Sequence, residues 1–211
     1  FVTGRREAPL QALAQQHGDR IAFMIGDVSQ SKAAEKIVAA CVQRFGRLDI
    51  LVNNAGIAPF MPLAEMDDET IDAVLATNLA GPLRMARAAL EPLARTRGQV
   101  ISVSSTVTKA VMPGAVVYGA SKAGLDYMTK VLAVEAASKG IRVNAIAPGA
   151  TETDLLKQAM PSEAIDQLSE QTPLGRLGTP NDIAKVLTLL ASDDAGWVTG
   201  QVLAASGGFM L

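Results

Sequence analysis

Residues 20–56 read "RIAFMIGDVSQSKAAEKIVAACVQRFGRLDILVNNAG", and the hydrophobic period changes twice along them. "RIAFMIGDV" (20–28) is a continuous apolar run that stops at Gly26-Asp27. "SKAAEKIVAACVQRFG" (31–46) then places Ala34, Ile37, Val38, Cys41 and Phe45 at three- and four-residue spacing, one face of a helix. "RLDILVNNAG" (47–56) is apolar again and ends in Asn and Gly. Strand, helix, strand predicts two parallel strands joined by a crossover.

The alternation continues along the chain. A helical pattern around 67–95 is interrupted near Gly81-Pro82, and "GQVISVSS" (98–105) is a strand. A long helix covers about Val116 to Ser138, and "IRVNAIAPG" (141–149) is a strand that stops at Pro-Gly. Helical segments at about 152–170 and 180–191 precede a last strand, "GQVLAASGG" (200–208). The strands are continuously apolar, so both sheet faces should be covered. The expectation is an α/β chain with a doubly wound parallel sheet in three αβα layers. No repeat or linker divides it, so 1–211 reads as one domain. Ligands bind at the carboxyl ends of such strands, here Asp27, Asn53 to Gly56, Ser104-Ser105 and Pro148-Gly149.

Composition narrows the function classes. The formal charge is −2 with scattered Lys and Arg, which argues against nucleic acid as a partner. No apolar run is long enough to span a bilayer. The single cysteine, Cys41, cannot form an internal disulfide, which favours a reducing, cytoplasmic compartment. No His, Cys or carboxylate cluster has metal-ligand spacing, so no metal is expected. His17 reads as a helix-end residue, Cys41 as packing and Trp197 as packing near the last strand. Met112 and Met160 flank the expected cleft, and 152–172 should form a lid over the substrate.

The chemistry concentrates in "SSTVTKAVMPGAVVYGASKAG" (104–124). Tyr118 and Lys122 are four apart on a predicted helix and share a face. A tyrosine hydroxyl titrates near 10, and a neighbouring ammonium lowers that value toward the range useful for acid–base work. Ser105 ends the preceding strand and can stabilise charge on the same substrate oxygen. Asn78, in "ATNLAG", is a polar residue within an otherwise apolar helix. Taken singly, each of these has a plain structural reading: a surface pair, a helix bend, a turn.

Together with "GDVS" (26–29), "LDILVNNAG" (48–56), "IRVNAIAPGATETDL" (141–155) and "VTGQVLAASGG" (198–208), they resemble the short-chain dehydrogenase/reductase family, 3-oxoacyl-[acyl-carrier-protein] reductases in particular. The resemblance implies that Tyr118 is the general acid or base and that Lys122 lowers its pKa and binds the nicotinamide ribose. It implies that Ser105 polarises the carbonyl and that Asn78 holds a water in a proton relay. Asp27 and Val28 would flank the adenine, and Asn54, Ala55 and Gly56 would line the adenine ribose and cofactor backbone. Pro148, Gly149, Thr151 and Thr153 would contact the nicotinamide and pyrophosphate side. A homotetramer is the usual assembly of such proteins.

The stretch "FVTGRR" (1–6) is too close to Asp27, and too poor in glycine, to be a phosphate loop. The family's order makes it the end of the second strand. The expectation follows that the parent protein carries a first strand, a glycine loop and a first helix ahead of Phe1, and that 1–211 alone folds poorly and binds no dinucleotide tightly. At the end of a second strand an acidic residue selects NAD, whereas Arg accommodates the 2′-phosphate of NADP. Arg5 stands there, with Thr3 and Arg6 beside it, so NADP(H) is favoured and NAD(H) is the alternative. The expected activity is hydride transfer from NADPH to a ketone or 3-oxoacyl carbonyl, with an acyl thioester among the candidate substrates. A sugar, polyol or secondary-alcohol dehydrogenase is the alternative within the fold. A non-catalytic binding protein is the alternative from another class.

Overall fold

The computed structural model describes residues 1–210, in which six strands alternate with eight α-helices. In chain order these are β1 (Val2–Gly4), α1 (Glu7–His17), β2 (Phe23–Ile25), α2 (Ala33–Phe45) and β3 (Ile50–Asn53). Next come α3 (Asp68–Leu75), α4 (Gly81–Thr96), β4 (Gln99–Val103), α5 (Val116–Ala136) and β5 (Arg142–Pro148). The chain ends with α6 (Asp154–Ala159), α7 (Ser162–Gln171), α8 (Pro180–Ala191) and β6 (Val202–Ala205). Every strand pairing among the described residues is parallel, as the crossover pattern predicts.

The strands form two sheets. β1 pairs with β2, while β3, β4, β5 and β6 pair in that order. Ile101 lies opposite Val52 and Asn144, and Ile146 lies opposite Leu203. Ile37 and Val38 of α2 pack with Met85 and Leu93 of α4, Ala133 of α5, and Val100 and Val143 of the sheet. A second cluster joins Ile101 and Ile146 to Ile183, Leu187 and Leu190 of α8. Helices therefore cover both faces of β4 and β5, and residues 100–102 and 143–147 of these strands are wholly buried. Burial of such aliphatic side chains contributes about 2 kcal/mol each.

The expectation of full cover fails at β1–β3. Ile25, Ile50 and Val52 are exposed. β1 has a ladder partner on one side only, as has β3, and both line a groove of about 700 Å³ between the sheets. Continuous apolar sequence marks strands that are covered somewhere, but it does not say by what.

Two other expectations are corrected. Trp197 is fully exposed rather than packed. Gly81-Pro82 does not break the helix: α3, a π-helical turn (Ala76–Ala80) and α4 run on continuously. Gly81 N–H donates to Ala76 O, five residues back, and Pro82 has no N–H to give Asn78 O, so the ladder widens there. No helix among the described residues is long and apolar enough to cross a membrane.

Candidate active site

The loops after β3, β4 and β5 meet the first two turns of α5 around a cavity of about 530 Å³. Ser105, Tyr118 and Lys122 share its wall with Asn54, Ala55 and Gly56. Pro148, Gly149, Thr151 and Thr153 close the side toward β5. The strip Asn54–Gly56 also borders the groove between the sheets, where Thr3, Arg5, Arg6, Asp27 and Val28 lie. The two spaces thus adjoin along the carboxyl edge of the sheet.

Lys122 is buried; its Nζ donates to Val103 O at 2.7 Å and lies 5.8 Å from the centre of the Tyr118 ring. Burial pulls its pKa down to about 8, against the opposing charge of Asp126. The Tyr118 hydroxyl is shifted upward, not downward as the spacing alone predicts. Burial strips water from the phenolate and is the largest influence, while hydrogen bonding from Ser105 pulls the value back. Lys122 spends a proton on the Val103 carbonyl rather than on the tyrosine. The Tyr118 ring is packed against Phe60, with centroids 5.7 Å apart.

Asn78 sits in the π turn, fully buried. Its Oδ1 accepts from Ile57 N–H at 2.9 Å, and its Nδ2 donates to Ile57 O at 2.8 Å and to Ser121 Oγ at 3.1 Å. Ser121 Oγ in turn donates to Tyr118 O at 2.7 Å, so Asn78 is tied to the loop after β3 and to the helix carrying the tyrosine. A Cβ on Gly56 would stand 3.4 Å from Asn78 Oδ1 and 3.6 Å from Lys122 Nζ. Glycine leaves that gap between the two polar groups open.

The Ser105 hydroxyl accepts from Val107 N–H at 3.2 Å, which caps the 3₁₀ turn Thr106–Lys109 and holds the serine at the cavity wall. The Asp27 carboxylate accepts from Ser29 Oγ and N–H at 2.7 and 2.9 Å, bonds that hold it below the usual carboxylate range. Thr151 Oγ1 donates to Gly149 O, and Thr153 caps α6 through Leu156 N–H. Thr3 lines the groove, but its hydroxyl donates to Met24 O at 2.9 Å and serves the β1–β2 pair. Arg5 and Arg6 are exposed at the groove rim. Met112 and Met160 both line the cavity, as expected of segments flanking the cleft. Sequence reasoning missed Phe60, Phe209 and Met210 on the cavity wall and Ser121, which links Asn78 to Tyr118 behind it. Only the i,i+3 spacing of Ser121 from Tyr118 hinted at any of them. Among the described residues no His, Cys, Asp and Glu group is placed to hold a metal.

The family described as enoyl-(acyl-carrier-protein) reductase matches residues 2–210. The chain belongs to the short-chain dehydrogenase/reductase family. It is an oxidoreductase with a Rossmann-type fold, and the candidate site lies at the carboxyl ends of its strands. An oxidoreductase of Methylorubrum extorquens is 43% identical over 204 residues, 96% of this chain and 82% of that protein. The 3-oxoacyl-[acyl-carrier-protein] reductase of Thermotoga maritima is 40% identical over 186 residues, 88% of this chain and 75% of that protein. Among solved structures, a 3-ketoacyl-(acyl-carrier-protein) reductase from Brucella melitensis, complexed with NADH, superposes with a TM-score of 0.93. That match has 30% identity and covers 99% of this chain and 86% of the other. The dehydrogenase/reductase fold is therefore shared along nearly the whole chain.

Proposed function

We propose that the chain is an NADPH-dependent reductase that converts a ketone or 3-oxoacyl carbonyl to a secondary alcohol. The observation that carries this reading is the cavity wall. Tyr118, Ser105 and Lys122 meet at one side, Phe60, Met112, Leu156, Met160 and Leu168 form much of the rest, and Lys122 is the one charged side chain lining it among the described residues. An apolar chain beside a carbonyl suits such a wall. A sugar or polyol would lose hydrogen bonds there, so polyol oxidation is the weaker reading. The assembled Asn78, Ser105, Tyr118 and Lys122 constellation also speaks against a purely non-catalytic binding role.

Bound NADPH would supply the hydride from its nicotinamide. Tyr118, kept protonated by burial, donates its hydroxyl proton to the carbonyl oxygen, and Ser105 donates a hydrogen bond to the same oxygen. The Lys122 ammonium stabilises the phenolate left behind. Asn78 and the bare Gly56 keep a polar gap through which a proton can return. The raised hydroxyl pKa suits the acid role and hence the direction of reduction.

The residues present fit the two ends of a dinucleotide. The gap at Gly56 and the cavity beside it suit the nicotinamide end, and the groove with Asp27 and Arg5 suits the adenosine end. No carboxylate ends β1, where Gly4 is followed by Arg5 and Arg6, which supports a 2′-phosphate contact. None of the described loops joining a strand to the next helix has the repeated glycines of a phosphate loop. The unsatisfied edges of β1 and β3 face the same groove, so a strand, glycine loop and helix seated there would complete both the ladder and the pyrophosphate site.

The test pairs ketones and 3-oxoacyl thioesters, with polyols as controls, against NADPH and NADH. Wild type is expected to reduce the carbonyls with NADPH. Arg5→Ala is expected to raise KM for NADPH about tenfold and to leave KM for NADH nearly unchanged. Equal effects on the two cofactors refute the 2′-phosphate assignment. Polyol oxidation without carbonyl reduction refutes the substrate class.

A cytoplasmic homotetramer completes the proposal. Exposed apolar residues lie at Tyr127 and Val134 of α5 and Leu83 of α4, and again at Leu189, Trp197 and Leu203. Two such sets suit two interfaces, as a tetramer needs. Light scattering is expected to give about four times the protomer mass, and Tyr127→Glu with Val134→Glu about half of that. A monomeric wild type overturns it.

A further inference from the structure

Two consecutive residues at the end of β4 are bonded to one face of α5, and the next, Ser105, shares the cavity wall with Tyr118 of that face. The Val103 carbonyl accepts from Lys122 Nζ at 2.7 Å. The Ser104 hydroxyl donates to an oxygen of the Asp126 carboxylate. Tyr118, Lys122 and Asp126 follow one another at four-residue intervals and so share that face. Ser104 is buried, and its N–H donates to Ile146 O at 2.7 Å, which extends the β4–β5 ladder to the last residue before Ser105.

We propose that Asp126 is a positioning residue of this centre: its carboxylate anchors Ser104, and with it the backbone that presents Ser105, and it supplies the counter-charge that keeps the buried Lys122 a cation. The first half follows from the bonding. Ser104 is bonded to β5 through its backbone and to α5 through its side chain, so Ser105 projects from a fixed point on both. The second half follows from burial, because an ammonium removed from water needs an opposite charge close by. Asp126 stands one turn beyond Lys122 on the same face of α5, and its negative charge favours the cation there. Tyr118 is the other titratable group facing Lys122. The neighbouring segments present polar but uncharged groups: the Val103 carbonyl from β4 and Asn78 from the π turn. With a counter-charge on the next turn, Lys122 stays cationic in the neutral range, where it can stabilise the Tyr118 phenolate.

The proposal rests on the reductase reading for its rate effects but not for its electrostatics, so the test has two arms on the full chain. In the first, lysines are labelled with ¹³C at Cε, and the Lys122 resonance is assigned by its loss in Lys122→Arg. Asp126→Asn keeps an acceptor for Ser104 and removes the charge. It is expected to lower the Lys122 titration midpoint by about one pH unit, with Asp126→Glu restoring it. In the second arm, the alkaline fall of kcat is expected to move to lower pH by the same amount in Asp126→Asn. Ser104→Ala, which keeps the charge and removes the anchor, is expected to lower kcat about tenfold without moving the pH profile. A Lys122 midpoint unmoved in Asp126→Asn overturns the counter-charge role. A wild-type kcat in Ser104→Ala overturns the anchoring role. If wild type reduces no carbonyl, the reductase reading falls, and the resonance titration still decides the counter-charge.

Discussion

Tyr118→Phe is expected to lower kcat for carbonyl reduction by about 10³ while KM for NADPH changes by less than about twofold. The substitution removes one oxygen. The ring keeps its packing on Phe60, and Lys122 keeps its bond to the Val103 carbonyl, so the surrounding structure has no reason to move. What goes is the hydroxyl proton that shares the cavity wall with Ser105. Ser105 remains to polarise that oxygen, and hydride transfer would then depend on water for its proton. Phe60, Met112 and Met160 on the wall offer no proton in its place, and a loss of about 10³ lies in the middle of the range for a general acid. Near-UV circular dichroism and cofactor fluorescence quenching check that fold and binding survive. A variant that keeps even a tenth of the wild-type kcat assigns the proton to another group.

Gly98→Ala is expected to destabilise the fold by about 3 kcal/mol, lowering Tm by roughly 10 °C. A Cβ at Gly98 would lie 2.3 Å from Asp49 O and 2.8 Å from Leu93 Cδ2. The Asp49 oxygen cannot retreat cheaply, because it accepts from Gln99 N–H at 2.8 Å in the first rung between β3 and β4. Gly98 also donates to Leu93 O at 2.9 Å and accepts from Arg142 N–H at 3.1 Å, so its own backbone is pinned on both sides. Gly119→Ala makes the useful contrast. Its Cβ would meet only Val107 Cγ2, at 3.9 Å, in the first turn of α5. Relief of the glycine's backbone entropy then predicts a gain of about 0.5 kcal/mol. Thermal melts of the two variants separate close approach from helix propensity, and equal losses would refute the account.

The parts of the fold readable in the sequence are those where local pattern and tertiary environment agree. β4 and β5 are apolar because helices cover both their faces, and α2 shows its core face at the expected spacing. The grouping of Ser105, Tyr118 and Lys122 was readable because strand ends and helix turns fix where side chains project. The π turn was not. Gly81-Pro82 marked an irregularity, but a glycine–proline pair predicts a break as readily as an added residue. The exposure of Trp197 and the upward shift of Tyr118 depend on what surrounds them, and no neighbour in sequence reports that. Asp126 is not readable from the sequence because only the packing of α5 on β4 brings it to Ser104.

The π turn has a consequence for how this stretch tolerates insertions and deletions. Residues 76–80 carry one residue more than regular helix would need, and the ladder is looser for it. Deleting a single residue there would restore tight bonding and make a better isolated helix. It would also rotate one half of the helix against the other by about 100°. Asn78 would swing away from Ile57 and Ser121, or else α4 would turn Met85 and Leu93 out of the core. The surplus residue is therefore a frame marker: local stability favours its removal, and the pairing of Asn78 with the core on the following helix keeps it in place.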